Sequence, residues 1–143
     1  MIDFDLLRDK YNCSVSQNNK IIVNDNLVEI LEFLKNTPEF NFDMLTSLVA
    51  VDLQDRIELI YQLYSTDNNN TVNLSYTTFN SSAPSVVNLY KSAYFDECEI
   101  YDMFGVNFAG NEKLKRLLMP ETWIGQPMLK SYSLNHERLA WND

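Results

Sequence analysis

Apolar and polar positions alternate most cleanly in the middle of the chain. Within residues 56–64, Ile57, Leu59, Tyr61 and Leu63 share one face. Within residues 71–79, Val72, Leu74 and Tyr76 lie opposite Thr71, Asn73, Ser75 and Thr77. A period of two predicts strands with one buried face. The polar stretch 67–70 (DNNN) between them predicts a turn, and hence a hairpin or meander. Residues 44–53 (MLTSLVAVDL) are apolar and β-branched without clean alternation, which reads as a buried strand.

On either side the period becomes helical. Phe4, Leu7 and Tyr11 predict a short helix within residues 3–11, with acids in its first turn. Two short strands, 13–15 and 21–23, flank the polar turn SQNNK. Residues 26–35 read as a helix that buries Leu27, Val28, Leu31 and Leu34. Asn26 and Glu29 are spaced as a capping box at its start, and Pro38 stops it. After Pro84, Val86, Val87 and Tyr90 begin another helix, and one more runs from about 92 to 104. Gly105 stands where a left-handed helix cap belongs. Beyond residue 106 the periodicity is lost, although both tryptophans and several large apolar residues fall there. Such a segment needs a surface to lie on. The pattern therefore predicts helices around a β middle, in a single core domain, residues 1–105, and an extended interaction tail, residues 106–143.

Charge sharpens that division. The net charge is −9, but residues 1–112 hold 17 acids against 6 bases, whereas residues 113–143 hold 3 acids against 5 bases. The acidic body argues against binding nucleic acid or anionic lipid directly. The basic tail fits an acidic surface, either on a partner or on its own body. Cys13 and Cys98 are far apart and read as free thiols in a reducing compartment. The first residues, MIDFD, have no basic or apolar signal region, and no run approaches the roughly 20 apolar residues of a membrane helix. Any membrane association is expected to pass through other subunits.

Candidate chemistry is sparse. A lone histidine, His136, leaves no catalytic triad and no histidine metal site to build. Gly105, Gly110 and Gly125 cannot form a Walker loop or a dinucleotide fingerprint, and two distant cysteines cannot ligate a cluster alone. One charged constellation remains: Asp96, Glu97, Glu99 and Asp102. On a helix, neighbours at i,i+3 such as Asp96 and Glu99 repel by a few tenths of a kcal/mol. Three readings stand open here: a solvated face, ion pairing with Lys113, Lys115, Arg116 or a partner, and an acid–base or metal site.

The run 99–132 (EIYDMFGVNFAGNEKLKRLLMPETWIGQPMLKSY) resembles the signature region of the thirty-kilodalton-type, or C-type, subunit of respiratory complex I, the proton-pumping NADH:quinone oxidoreductase. The same family supplies a subunit of membrane-bound energy-converting [NiFe] hydrogenases. Glu97, Glu99, Asp102, Met103, Phe104 and Gly105 match the family pattern. Phe108, Gly110, Leu114, Arg116, Leu118, Met119, Pro120, Trp123, Gly125, Pro127, Lys130 and Tyr132 match it too. Upstream, VAVDL, RIELIYQLYS, TVNLSYTTF and SAYFDECE keep the family's order, so the resemblance spans roughly residues 43–132. Departures include Phe95 for the usual tryptophan, Cys98 for an arginine, and Asn111-Glu112 for a histidine–proline pair.

The resemblance implies an α+β fold, a mixed sheet with helices on one side, and an extended C-terminal docking tail. It implies a scaffold subunit with no catalytic residues and no cofactor of its own. Its partners would be the large-chain-like quinone-site subunit and the iron–sulfur small subunit, or their counterparts in a hydrogenase complex. Its place would be peripheral, on the cytoplasmic side of the membrane. Leu117, Met119, Trp123 and Pro127 would anchor the interface. Glu97, Glu99 and Asp102 would hold the helix–tail junction by ion pairing, with Arg116 as first candidate.

Overall fold

The computed structural model describes residues 4–11, 13–16, 18, 20–115 and 129. Helix α1 (Asp5–Lys10) leads into strands β1 (Cys13–Val15) and β2 (Lys20–Val23), then α2 (Leu27–Asn36). Three longer strands follow: β3 (Met44–Asp52), β4 (Ile57–Ser65) and β5 (Asn70–Thr78). The described part closes with β6 (Ser82–Pro84), α3 (Ala93–Phe104) and β7 (Asn107–Ala109). The main sheet has the order β1-β2-β5-β4-β3. Its neighbours are antiparallel except β2 and β5, which run parallel. The sheet is therefore mixed and the fold is α+β, as the resemblance implies. The parallel pair forces a crossover, and α2 with the β3–β4 hairpin supplies it.

The alternation in β4 buries Ile57, Leu59, Tyr61, Leu63 and Ser65 on one face. Ladder partners continue that face. Leu59 faces Tyr76 and Ala50, Tyr61 faces Leu74 and Leu48, and Leu63 faces Val72 and Leu45. In β2, Ile21 and Val23 add to it. Leu27, Ile30, Leu31 and Leu34 of α2 and Leu7 of α1 close over this side, so sheet and helices share one core. Ile30 belongs to the buried stripe, while Val28 is only half-buried.

Strand β3 departs from the expected buried strand in two ways. It covers only one face: Val49 and Val51 are 48% and 38% exposed. It also carries a bulge, because the register slips between Leu45 and Ser47. Leu45 and Leu48 are three residues apart, so strict alternation would send them to opposite faces. The extra residue, Thr46, lets both point into the core. Its hydroxyl donates to the Gln62 carbonyl at 3.0 Å and pins the irregularity.

Two further expectations are corrected. The capping box at Asn26 does not form. Asn26 is left-handed (φ 57°) and makes no side-chain cap, whereas an N-cap acceptor needs extended backbone to reach the first free N–H groups. The expected helix at residues 86–90 is a single turn, with the Leu89 and Tyr90 amides both donating to the Val86 carbonyl. Tertiary bonds anchor this turn. The Tyr90 hydroxyl donates to the Phe42 carbonyl at 2.7 Å, and the Lys35 ammonium donates to the Leu89 carbonyl. The predicted helix at 92–104 does form, and Gly105 caps it at φ 78°. A side chain in that left-handed conformation would cost about 1–2 kcal/mol.

Tyr61 is a strained element of this core. It is fully buried, and its hydroxyl has no hydrogen-bond partner among the described residues. Burial, reinforced by the Glu97 charge, holds the phenol well above its ordinary pKa, so it stays neutral. An unmatched buried hydroxyl costs about 1–3 kcal/mol. Replacing Tyr61 with Phe should therefore raise the unfolding free energy by about 1 kcal/mol, read from urea denaturation of the full chain. A loss of stability would mean that the hydroxyl is satisfied.

Candidate functional site

The matched residues that the structure describes gather where α3 gives way to the tail. Ala93, Glu97 and Ile100 fall at helical spacing, so α3 carries a carboxylate in the middle of its buried stripe. Burying a charge without partners is costly, and the fold supplies three donors. Glu97 Oε1 accepts from Ser85 Oγ at 2.7 Å and from Asn111 Nδ2 at 3.0 Å. Its Oε2 accepts from the Val86 amide at 2.9 Å. Burial nevertheless outweighs these bonds and raises the carboxyl's pKa.

These bonds join three pieces of chain. Strand β6 pairs in parallel with β7, matching Ser82 to Asn107 and Pro84 to Ala109. The Ser85 amide extends this pair by donating to the Ala109 carbonyl. Val106 and Phe108 are buried in the core, so the first residues of the tail are integral to the body. From Asn111 the connection runs on. Its Oδ1 accepts the Lys113 amide at 3.1 Å, and the Lys113 carbonyl accepts from the Tyr94 hydroxyl at 3.0 Å. The Cys98 thiol sits 3.9 Å from the same carbonyl. Leu114 and Leu129 pack, partly buried, against the core.

The structure thus separates the four acids that looked like one cluster. Glu97 and Asp102 are fully buried, Asp96 is half-buried, and Glu99 is exposed. Among the described residues Glu97 is met by neutral donors, while Arg116, the first candidate for the expected ion pair, lies outside them. Phe104 packs half-buried against the core and Gly105 ends the helix. Arg116, Leu117, Met119, Pro120, Trp123, Gly125, Pro127, Lys130 and Tyr132 lie outside the described residues. Among the described residues no group of three or more His, Cys, Asp or Glu is arranged to hold a metal ion. Ser85 and Asn111 escaped the sequence reading. Asn111 stands where the resembled family has histidine, and it fills the position with an amide donor.

Residues 21–138 match the family model described as respiratory-chain NADH dehydrogenase, 30 Kd subunit. The C-type subunit of the NADH-quinone oxidoreductase of Roseiflexus sp. (strain RS-1) is 36% identical over 122 residues, covering 82% of this chain and 70% of that one. The Chromohalobacter salexigens relative, whose name joins the C and D types in one chain, is 37% identical, covering 74% of this chain and 20% of its own. A chain of the membrane-bound sulfane sulfur reductase, an archaeal respiratory membrane complex, superposes with a TM-score of 0.64 at 25% identity. That match covers 86% of this chain and 77% of the other.

The Glu97 geometry sets two expectations. Glu97→Ala strands the Val86 amide and the Asn111 side chain and should cost about 2–3 kcal/mol; Glu97→Gln, which keeps the shape, should cost clearly less. The sign with pH follows from the raised pKa. The folded state holds the proton more tightly than the unfolded chain does. The associated stability is therefore fully present below the ordinary value of 4.5 and is lost as pH rises through the raised one. Urea titrations across that interval should show a flatter profile for Glu97→Gln than for the parent chain. An equal slope in both would remove Glu97 from the pH dependence.

Proposed function

Because the chain belongs to the respiratory-chain NADH dehydrogenase 30 Kd subunit family, we propose that it is a non-catalytic scaffold of the hydrophilic arm of an NADH:quinone oxidoreductase-type complex. The carrying observation is the role of Glu97. This carboxylate of the matched motif ties β6, α3 and the loop at residues 110–113 into one junction. It bonds one segment of the chain to two others, which suits an element that presents a tail to neighbours. The partners we infer are the large-chain-like D-type subunit and the iron–sulfur small subunit. Relatives such as the Chromohalobacter chain, named for the C and D types together, support the first of these. Among the described residues no helix is long and apolar enough to cross a membrane. In this reading other subunits hold the chain peripherally at the cytoplasmic face.

The likeness to a chain of the sulfane sulfur reductase complex supports a second reading, in which the same scaffold role serves a related respiratory assembly such as an energy-converting hydrogenase. Affinity purification of the tagged full chain from native membranes, followed by mass spectrometry, tests both. The first reading expects D-type, iron–sulfur and NADH-oxidising subunits; the second expects a hydrogenase-like large chain instead. Recovery of the chain alone from the soluble fraction would overturn both.

A further inference from the structure

Helix α3 has two opposite stripes. Ala93, Glu97, Ile100 and Phe104 stand at i, i+4, i+7 and i+11 and face the core. Phe95, Glu99 and Asp102 stand at i, i+4 and i+7 on the other side. A stripe opposite the core ordinarily meets solvent, and its first two members do. Phe95 is 65% exposed and Glu99 is exposed. Asp102 is instead fully buried. One turn beyond Glu99, the outer face of the helix therefore lies under a cover.

A carboxylate at this place carries two costs. Buried, it loses its hydration and must be met by donors. It also stands in the last turn of α3, where unpaired carbonyls give the helix end a partial negative charge that repels anions and attracts cations. That turn holds no basic residue of its own. Neutral donors answer the first cost, as they do for Glu97, but only a cation answers both. The Asp102 carboxyl is engaged rather than free.

The chain that follows β7 passes beside this face. The Lys113 carbonyl accepts from the Tyr94 hydroxyl at 3.0 Å, and the Cys98 thiol lies 3.9 Å from it. Cys98 is fully buried too, one turn before Asp102. The next side chains alternate: Lys113 is exposed, Leu114 partly buried and Lys115 exposed. Neither ammonium is therefore buried with Asp102. Continued by one residue, the alternation puts Arg116 on the side of Leu114. Cys98 and Asp102 are about 6 Å apart along the helix axis, and three extended residues span about 10 Å. Position 116 is thus within reach of Asp102. Further along the tail, Leu129 again packs against the core.

We propose that Arg116 forms a buried ion pair with Asp102 and clips the start of the tail to the outer face of α3. The planar guanidinium fork meets both oxygens of a carboxylate and is more weakly hydrated than an ammonium, so it suits a covered position. The three acids expected at the helix–tail junction then divide the work. Asp102 takes the cation, Glu97 takes neutral donors, and Glu99 stays in solvent. The clip works within one chain, so it does not depend on the scaffold role.

The test uses the full chain, with chymotryptic cleavage at Leu117, Leu118 and Trp123, followed by mass spectrometry, as the measure of how often the tail opens. Asp102→Asn and Arg116→Gln should each speed cleavage about tenfold. The double variant should be no faster than either, because both changes remove the same interaction. Glu99→Gln, on the same stripe, should leave the rate unchanged. Should Asp102→Asn fail to fold, shown by a lost thermal transition, Arg116→Gln decides alone, since it leaves α3 untouched. A parent tail cleaved as fast as a free peptide, a rate unmoved by Arg116→Gln, or single effects that multiply in the double variant would each overturn the clip.

Discussion

One buried carboxylate ties β6, α3 and the residues just after β7 together. Glu97 lies on the inner stripe of α3, where an apolar residue would pack without any polar cost. Once placed there, it must be met by donors, and those donors come from segments far apart in sequence. Ser85 and Val86 follow β6, and Asn111 follows β7. The need to satisfy one side chain therefore fixes where β6 ends, how α3 rolls against the sheet, and where Asn111 stands after β7. Apolar contacts supply most of the stability of such a junction but not its geometry, because they tolerate sliding. The three hydrogen bonds do not.

How much of this was legible depended on the signal each residue carried. Strands β4 and β5 were plain because a period of two admits one reading. Helix α3 and its Gly105 cap were plain for the same kind of reason. The bulge at Thr46 was hidden, since two leucines three apart are compatible with a helix, a doubly buried strand or a bulge. The turn at residues 86–90 was misread as a helix because its apolar spacing is helical, while the bonds that anchor it reach Phe42 and Lys35. Local sequence cannot announce a partner some fifty residues away.

The site divides in the same manner. The motif carrying Glu97 and Glu99 pointed to the right helix, and counting from Ala93 to Ile100 places Glu97 on the buried stripe. What could not be read was the sort of partner it would have. The expectation was an ion pair with Arg116 first, which lies outside the described residues, and the donors that the described residues supply are neutral. Neutral donors serve better inside, because a desolvated ion pair regains little of what both charges lose on leaving water. Asn111 makes the point directly: an uncharged amide brings a hydrogen bond without bringing a second charge to bury.

The β6–α3–β7 unit also has a bearing on how the chain is made. Strand β6 pairs with residues 107–109, which leave the ribosome some twenty-five residues later. Until then β6 has no ladder, and Glu97 still lacks the Asn111 donor. The three-stranded meander of β3 to β5 needs nothing beyond residue 78 and can form first. Synthesis therefore imposes an order, in which the sheet comes early and the junction closes only as the tail emerges. In the scaffold role proposed above, the junction that presents the tail is completed last, after the core that must support it.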